Sequence, residues 1–474
     1  MNYNVIIPCS GPGSRSSSYS KFHKTLIRIA DKAVINHIID SYPSAKTIYI
    51  MLGYNEHYLR QYIEHCGYNN IKYINVENWE ESQFASLRQI PREVFDEPFY
   101  LNSCDNWSTL VPLATENTAY FCKPHNLDYY DTVDNRAFAG IGYVKDGVAF
   151  YDSLHRLTAS RNDYLIYNEL ANLEHADLTD WFDVGNSESY AITARLFSDN
   201  FSLLDKTHQE IYRVNNNIIK LFKKNTNNLV IPLTTSQAYP HPQPIKFTDN
   251  AISYTFIEGI TNVEGAEFDR VFDNLKLLWQ FCINNNKNIN SKNMWQEKTF
   301  ERFDQLTAHY PEFTKTIYIN GQLVDPIRVL EYAKWADINT GIYGPCHGDL
   351  NLDNIILTTD VIHYIDHREG QVLDIFYDIC KFYHSLHLNN KNLKNFSIEY
   401  NNTNAYTISI DFPSADQTKI DKFRNTDLYK KYKDKIELGV GCIWLSMAPL
   451  NVDDQLNKFL FLYAIKHLKE LSSE

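Results

Sequence analysis

Apolar and polar positions follow two rhythms along this chain. "NVIIPC", residues 4–9, is a continuous apolar run closed by Ser-Gly-Pro-Gly, which predicts a buried strand entering a loop. "KTLIRI" alternates as a strand would, and "AVINHIIDSY" sets Val34, Ile38 and Ile39 at helical spacing. "TIYIML", "IKYINV" and "FYLNSC" predict strands, with helices over "EHYLRQYIEHC" and "ESQFASLRQI" between them. This alternation predicts a mainly parallel sheet covered on both faces, which binds ligands beyond the carboxyl ends of its strands. The loop after residue 9 and Asp105 after "FYLNSC" both fall at such ends.

The rhythm changes after "DVGNSESYAITARLF", a predicted helix ending near Phe197. "EIYRVNNNIIKLFKK" predicts two antiparallel strands joined at Asn215–Asn217, and "AISYTFIEGIT" a further strand closing at Gly259. From Asp269 helical spacing dominates, as in "FDRVFDNLKLLWQFCI". The expected organisation is a first domain over 1–204 and a second over 205–474, with the boundary near Asp205. The second would have a small β-rich lobe over about 205–262 and a larger helical lobe over about 263–474.

Composition narrows the class. A length of 474 residues exceeds one compact core, and 44% hydrophobic with 22% charged residues is ordinary for a folded soluble protein. The net charge of −13, with no long Lys/Arg run, argues against nucleic acid as a partner but not against a nucleotide with its Mg²⁺. No apolar stretch approaches the roughly 20 residues a membrane helix needs, and the first residues show no basic leader, so a cytoplasmic enzyme without membrane insertion is expected. The eight cysteines form no Cys-x-x-Cys pair, which argues against a zinc site or redox dithiol.

Candidate chemistry begins at "SGPGSRSSSYSKFHKTLIRIADKAVINHII". Gly11 and Gly13, with Ser14, would let backbone N–H groups approach phosphate oxygens. Arg15 could add a bidentate contact and Lys24 a point charge for a leaving pyrophosphate. A lone Gly-x-Gly is common in ordinary turns, so the context decides. "GPGSR" followed by the Lys24 segment resembles the sugar-nucleotidyltransferase family over roughly Met1 to Phe197. "SQFASLRQ" resembles that family's base-approaching segment, "LNSCDNW" places Asp105 where it holds Mg²⁺, and "WFDVGNSESY" resembles the motif carrying a second metal aspartate, here Asp183. The resemblance implies a Rossmann-like α/β domain that transfers a nucleotidyl group from a nucleoside triphosphate to a phosphomonoester. Cys9-Ser10 stand where the family has Ala-Ala, Ala33 where it has Pro, and its substrate lysine has no clear counterpart among Lys123 and Lys145.

A second set lies in "PCHGDLNLDNIIL". Asp349 and Asn354 have the spacing of the kinase catalytic loop, and "VIHYIDHREG" sets Asp366 after a short apolar strand. His347-Gly348-Asp349 and the later "DIFYDICKFYHSL" resemble the aminoglycoside phosphotransferase and choline kinase family, over about Asp205 to Glu474. That implies a two-lobed kinase-like α+β domain, with Asp349 engaging a substrate hydroxyl and Asn354 and Asp366 holding Mg²⁺ on ATP. His347 would brace the loop, Asp374 and Asp378 would be structural, Lys220 (with Lys223 as an alternative) would grip ATP phosphates, and Glu258 in "SYTFIEG" would mark the hinge beside adenine. No Gly lies between Gly185 and Gly259, so a Gly-rich phosphate loop is missing, and no acidic residue lies between Lys220 and Asp249 to pair with the lysine.

Together the resemblances imply a bifunctional enzyme. It would phosphorylate a small alcohol or sugar with ATP, then activate the phosphomonoester with a nucleoside triphosphate, CTP first, as a precursor of surface polysaccharide. A homo-oligomer is left open. Two rivals stand beside it: an active nucleotidyltransferase with a kinase-like binding module, and a nucleotide-sensing regulator.

Overall fold

The computed structural model describes all residues except 1, 125, 158–163, 198–207, 227–237, 243, 369–373, 390–392, 394, 403, 411–413, 452 and 473–474. The expected boundary at Asp205 lies outside the described residues.

β1 (Asn4–Pro8) is buried at every position, as the unbroken apolar run requires of a strand flanked on both sides. It pairs in parallel with β2 (Thr47–Leu52), and β2 in parallel with β3 (Ile71–Asn75). On its other edge β1 pairs in parallel with β4 (Phe99–Asn102). The register sets Asn4 opposite Phe99 and Ile6 opposite Leu101. After the short β5 (Asn106–Trp107) come β6 (Thr118–Cys122), β7 (Arg136–Val144) and β8 (Glu174–Asp177). The main path of the sheet runs β8-β6-β7-β4-β1-β2-β3, parallel throughout except for β7. Strand order reverses at β1, whose neighbours lead off in opposite directions. That creates the crevice beyond β1 and β4 in which such sheets bind ligands.

The chain forms two compact units that do not divide at one point. The first comprises Met1–Leu203, Thr207–Thr226 and Ile245–Phe256, and the second the remainder. After β9 (Phe182–Asp183), β10 (Gln209–Val214) and β11 (Asn217–Phe222) form the expected hairpin, with Asn215 at φ 55° in its turn. With β12 (Pro244–Phe247) and β13 (Ala251–Thr255) they make a four-stranded sheet. Three of its contacts explain why most of it groups with the first unit. His65 Nδ1 meets Ser253 Oγ at 2.8 Å, Tyr212 Oη donates to the Leu26 carbonyl at 2.7 Å, and Lys21 pairs with Glu210 at 2.7 Å.

The second unit has its own core around Trp279, Phe382, Phe423 and Phe461, built mainly from helices. Its longest helices are α1 (Gly265–Asn285), α2 (Asp427–Met447) and α3 (Asp454–Leu471). It also contains a four-stranded sheet from Ile317–Ile319, Gln322–Val324, Phe396–Asn402 and Ala405–Ile410, a departure from the helical spacing that dominates after Asp269. Among the described residues no helix is long and apolar enough to cross a membrane.

Candidate functional site

The loop after β1 closes on itself through Gly13. At φ 64° and ψ 55° this residue caps a short turn, Ser14–Ser16, and its carbonyl accepts from the Ser16 N–H at 2.9 Å. A Cβ on Gly13 would stand 2.8 Å from Lys24 Cδ and 2.9 Å from Lys24 Cβ, so only glycine lets the loop lie against the lysine stem. Space beside Gly11 is open. Lys24 begins a second turn, Lys24–Leu26, capped by His23, whose Nδ1 accepts from the Thr25 N–H while Nε2 donates to the Cys9 carbonyl at 2.9 Å. Burial, followed by the Lys24 charge, pushes His23 down to about 3, so it is a neutral brace. Burial opposes charge on Lys24 too, but the Cys104 sulfur and the Asp105 carboxylate outweigh it and raise its pKa.

Asp105 and Asp183 meet across the β5–β9 pair, where Asp183 is opposite Asn106 and the Val184 N–H donates to the Asp105 carbonyl at 2.9 Å. A Cβ on Gly185 would lie 3.2 Å from Asp183 Oδ1 and 3.3 Å from Asp105 Oδ2. Glycine thus leaves a cradle that both carboxylates face. Asp183 is buried, and desolvation together with the Asp105 charge raises it to about 6. Tyr130 Oη at 2.8 Å and the Gly185 N–H at 3.1 Å hydrogen-bond to it and partly offset this.

Gly11, Gly13, Ser14, Arg15, Lys24, Asp105 and Gly185 line one cavity of about 220 Å³. A neighbouring cavity of about 270 Å³ shares Arg15, Lys24, Asp105 and Gly185 and adds Gln83, Tyr130, Trp181, Asp183 and Asn186. Every nucleotidyl-site residue expected from sequence is therefore brought to one place. Tyr130, Trp181 and Asn186 were missed as site residues; nothing in "LDYYDT" marks Tyr130 out, and only the fold brings it to Asp183. The pair of carboxylates fits Mg²⁺, a cation usually held by one or two carboxylates and completed by phosphate oxygens and water. Among the described residues no cluster of three or more His, Cys, Asp or Glu offers a metal an all-protein cage.

In the second unit, the segment around Asp349 is held by the helix Ile375–His387 (α4). Asp378 on that helix accepts the His347 N–H at 2.6 Å and the Gly348 N–H at 2.8 Å. Burial raises Asp378 to about 6, against the pull of those two N–H groups. Asp374 is equally structural, accepting from Trp295 Nε1 and the Ile342 N–H, each at 3.0 Å. His347 Nε2 donates to the Ile365 carbonyl at 2.9 Å, and its Nδ1 accepts from the Asp349 N–H at 3.2 Å. Asn354 Nδ2 donates to the Asp349 carbonyl at 2.8 Å, and the Ile365 N–H to the Asn354 carbonyl at 2.9 Å. The hairpin of Ile355–Leu357 and Ile362–Tyr364 thereby brings Asn354 near Asp366, which adopts φ 64°. Asn354 turns its Nδ2 to Asp349, and its Oδ1 and the Asp366 carboxylate are oxygens of the kind Mg²⁺ takes.

Lys220 sits on β11 opposite Ile211 and Ile252, only 6% exposed, and groups with the first unit, whereas Asp349 belongs to the second. Glu258 is exposed, just before the Ile260–Leu357 bridge in the second unit.

No family model and no curated protein matches the chain. Among solved structures, its N-terminal part is similar to CTP:phosphocholine cytidylyltransferase from Streptococcus pneumoniae, at 14% identity over 41% of this chain and 99% of that one, with a TM-score of 0.36. It is also similar to a nucleoside-diphosphate-sugar pyrophosphorylase from Vibrio cholerae, at 11% identity over 40% and 99%, with a TM-score of 0.34. A UDP-glucose pyrophosphorylase complexed with UDP-glucose matches at 13% over 41% and 98%, with a TM-score of 0.33.

Proposed function

We propose that the first unit is a nucleotidyltransferase acting on a phosphomonoester, with CTP as the expected nucleotide. The observation that carries this reading is the convergence of Asp105 and Asp183 on the Gly185 cradle, beside the Gly11–Arg15 loop and Lys24. A phosphomonoester oxygen is already a competent nucleophile, so no general base is required. It forms a bond to the α-phosphorus, the bond from that phosphorus to the bridging oxygen breaks, and pyrophosphate leaves with the electron pair. Arg15 and Lys24 neutralise the leaving group, the loop N–H groups orient it, and Tyr130 fixes Asp183. Mg²⁺ held by Asp105 and Asp183 would supply further charge neutralisation when bound.

A kinase reading of the second unit is supported by Asp349, Asn354 and Asp366, with Asn354 hydrogen-bonded to Asp349 and to Ile365, the residue before Asp366. The substrate hydroxyl oxygen forms a bond to the γ-phosphorus of ATP, ADP departs, and Asp349 takes the hydroxyl proton. The product would be the phosphomonoester the first unit consumes, in a cytoplasmic enzyme making activated precursors of surface polysaccharide. Phosphorus NMR of the full chain with Mg²⁺, ATP and pooled alcohols tests the sequence of steps. A phosphomonoester signal should grow, and adding CTP should convert it to a diphosphate diester. A monoester that persists with every nucleoside triphosphate would remove the transferase reading. Its absence in the wild type would leave the second unit as a binding module.

A further inference from the structure

The two carboxylate oxygens of Asp349 have different surroundings. Oδ2 is 3.5 Å from Asn354 Nδ2, on the side where a nucleotide-bound cation would be held. Oδ1 is 2.8 Å from the Lys381 ammonium. One helical turn before Lys381 stands Tyr377, buried, whose phenol oxygen receives a hydrogen bond from Arg368 Nη1 at 2.6 Å and one from Lys298 Nζ at 3.4 Å. Lys298 starts the helix Lys298–His309, Arg368 follows the Asp366 segment, and Lys381 lies on α4. Two separate elements thus bring a cation to one phenol, and Lys381 lies one turn along the phenol's own helix.

This is a surplus of positive charge in a chain whose net charge is −13. Among the described residues, the carboxylate paired with any of the three cations is Asp349. Burial, then repulsion from Arg368 and Lys381, holds the Lys298 ammonium below the usual lysine range. Burial alone would push the Tyr377 phenol up, yet Lys298, Lys381 and Arg368 outweigh it and bring it down. Cations crowded together at the edge of solvent create a favourable seat for an anion.

We propose that Lys298, Arg368 and Lys381, with the Tyr377 phenol, recognise a carboxylate or phosphate group carried by the alcohol whose hydroxyl Asp349 engages. The proposal rests on the kinase reading of the second unit. The position of Lys381 on the Oδ1 side, with Asn354 on the Oδ2 side, assigns the anion to the acceptor rather than to ATP. Choline and ethanolamine would bring a like charge to the cluster, and glycerol would leave it uncompensated.

Calorimetric titration of the full chain with Mg²⁺ and ADP present tests this with five probes: D-glycerate, sn-glycerol 3-phosphate, inorganic phosphate, glycerol and choline. An anionic alcohol should bind, and the stronger of the two distinguishes carboxylate from phosphate recognition. Arg368→Gln and Lys298→Met should each weaken that binding about tenfold or more, with Arg368→Lys recovering part of the loss and ADP affinity unchanged. Choline or glycerol binding as tightly as the anions, or no binding of any anion including inorganic phosphate, would overturn the proposal. Variants that weaken ADP instead of the anion would also overturn it, by assigning the cations to the nucleotide. The kinase reading fails separately: anion binding without phosphotransfer removes that reading and leaves the anion site standing, whereas phosphotransfer to choline keeps the reading and removes the site.

Discussion

Asp183 is held beside Asp105 by the β5–β9 pairing, and burial together with that neighbour raises its carboxyl to about 6. Two carboxylates facing one cradle, Asp183 buried and Asp105 half-buried, repel each other, and the arrangement persists because the surrounding sheet fixes it. A cation between them would relieve the repulsion.

The pH consequence follows from the direction of that shift. The folded-state pKa lies above the unfolded value, so the stability Asp183 contributes is present below about pH 4 and is lost as pH rises through 6. A shift of this size corresponds to roughly 3 kcal/mol. Asp183→Asn should therefore raise the unfolding temperature at pH 7.5 by several degrees, with the gain shrinking towards pH 4, while nucleotidyl transfer is lost. Thermal unfolding across that range checks it; equal effects at both ends would contradict the assignment.

Gly185 should tolerate no side chain for chemical rather than conformational reasons. Gly185→Ala places a methyl group 3.2 Å and 3.3 Å from the two carboxylate oxygens, in the space a shared cation would need. The variant should fold with near-normal stability but lose about 10²-fold or more in pyrophosphate release, the scale seen when charge stabilisation is removed. Normal turnover in Gly185→Ala would show that the cradle is not used.

Much of this site was legible because its parts sit at strand ends that short-range patterns reveal. β1 reads as a buried run, and Gly11, Gly13 and Asp105 follow strands directly. Tyr130 was not legible, since it reaches Asp183 through a loop with no periodic signal. The sheet containing Ile317–Ile319 and Ala405–Ile410 consists of two local hairpins, and only the pairing between them, Tyr318 with Ala405 and Ile319 with Tyr406, joins segments far apart in sequence and depends on the fold. Lys220, expected from sequence to grip ATP phosphates, lies on β11, and the grouping of that strand with the first unit depends on tertiary contacts such as those of His65 and Tyr212.

Asp378 gives a prediction for the second unit alone. Asp378→Ala removes the acceptor of two buried N–H groups, at a cost of about 1–3 kcal/mol for each left unpaired. Amide hydrogen exchange at His347 and Gly348 should accelerate by at least about tenfold. Unchanged protection of both amides would mean that Asp378 does not anchor the loop.

The most direct measurement is pyrophosphate release from CTP and Mg²⁺ with a pool of phosphomonoesters, comparing the wild type with Asp105→Ala and Asp349→Ala. The account predicts release by the wild type, its loss by about 10²-fold or more in Asp105→Ala, and its retention in Asp349→Ala. Undiminished release in Asp105→Ala would contradict the assignment of nucleotidyl transfer to the Asp105–Asp183 site.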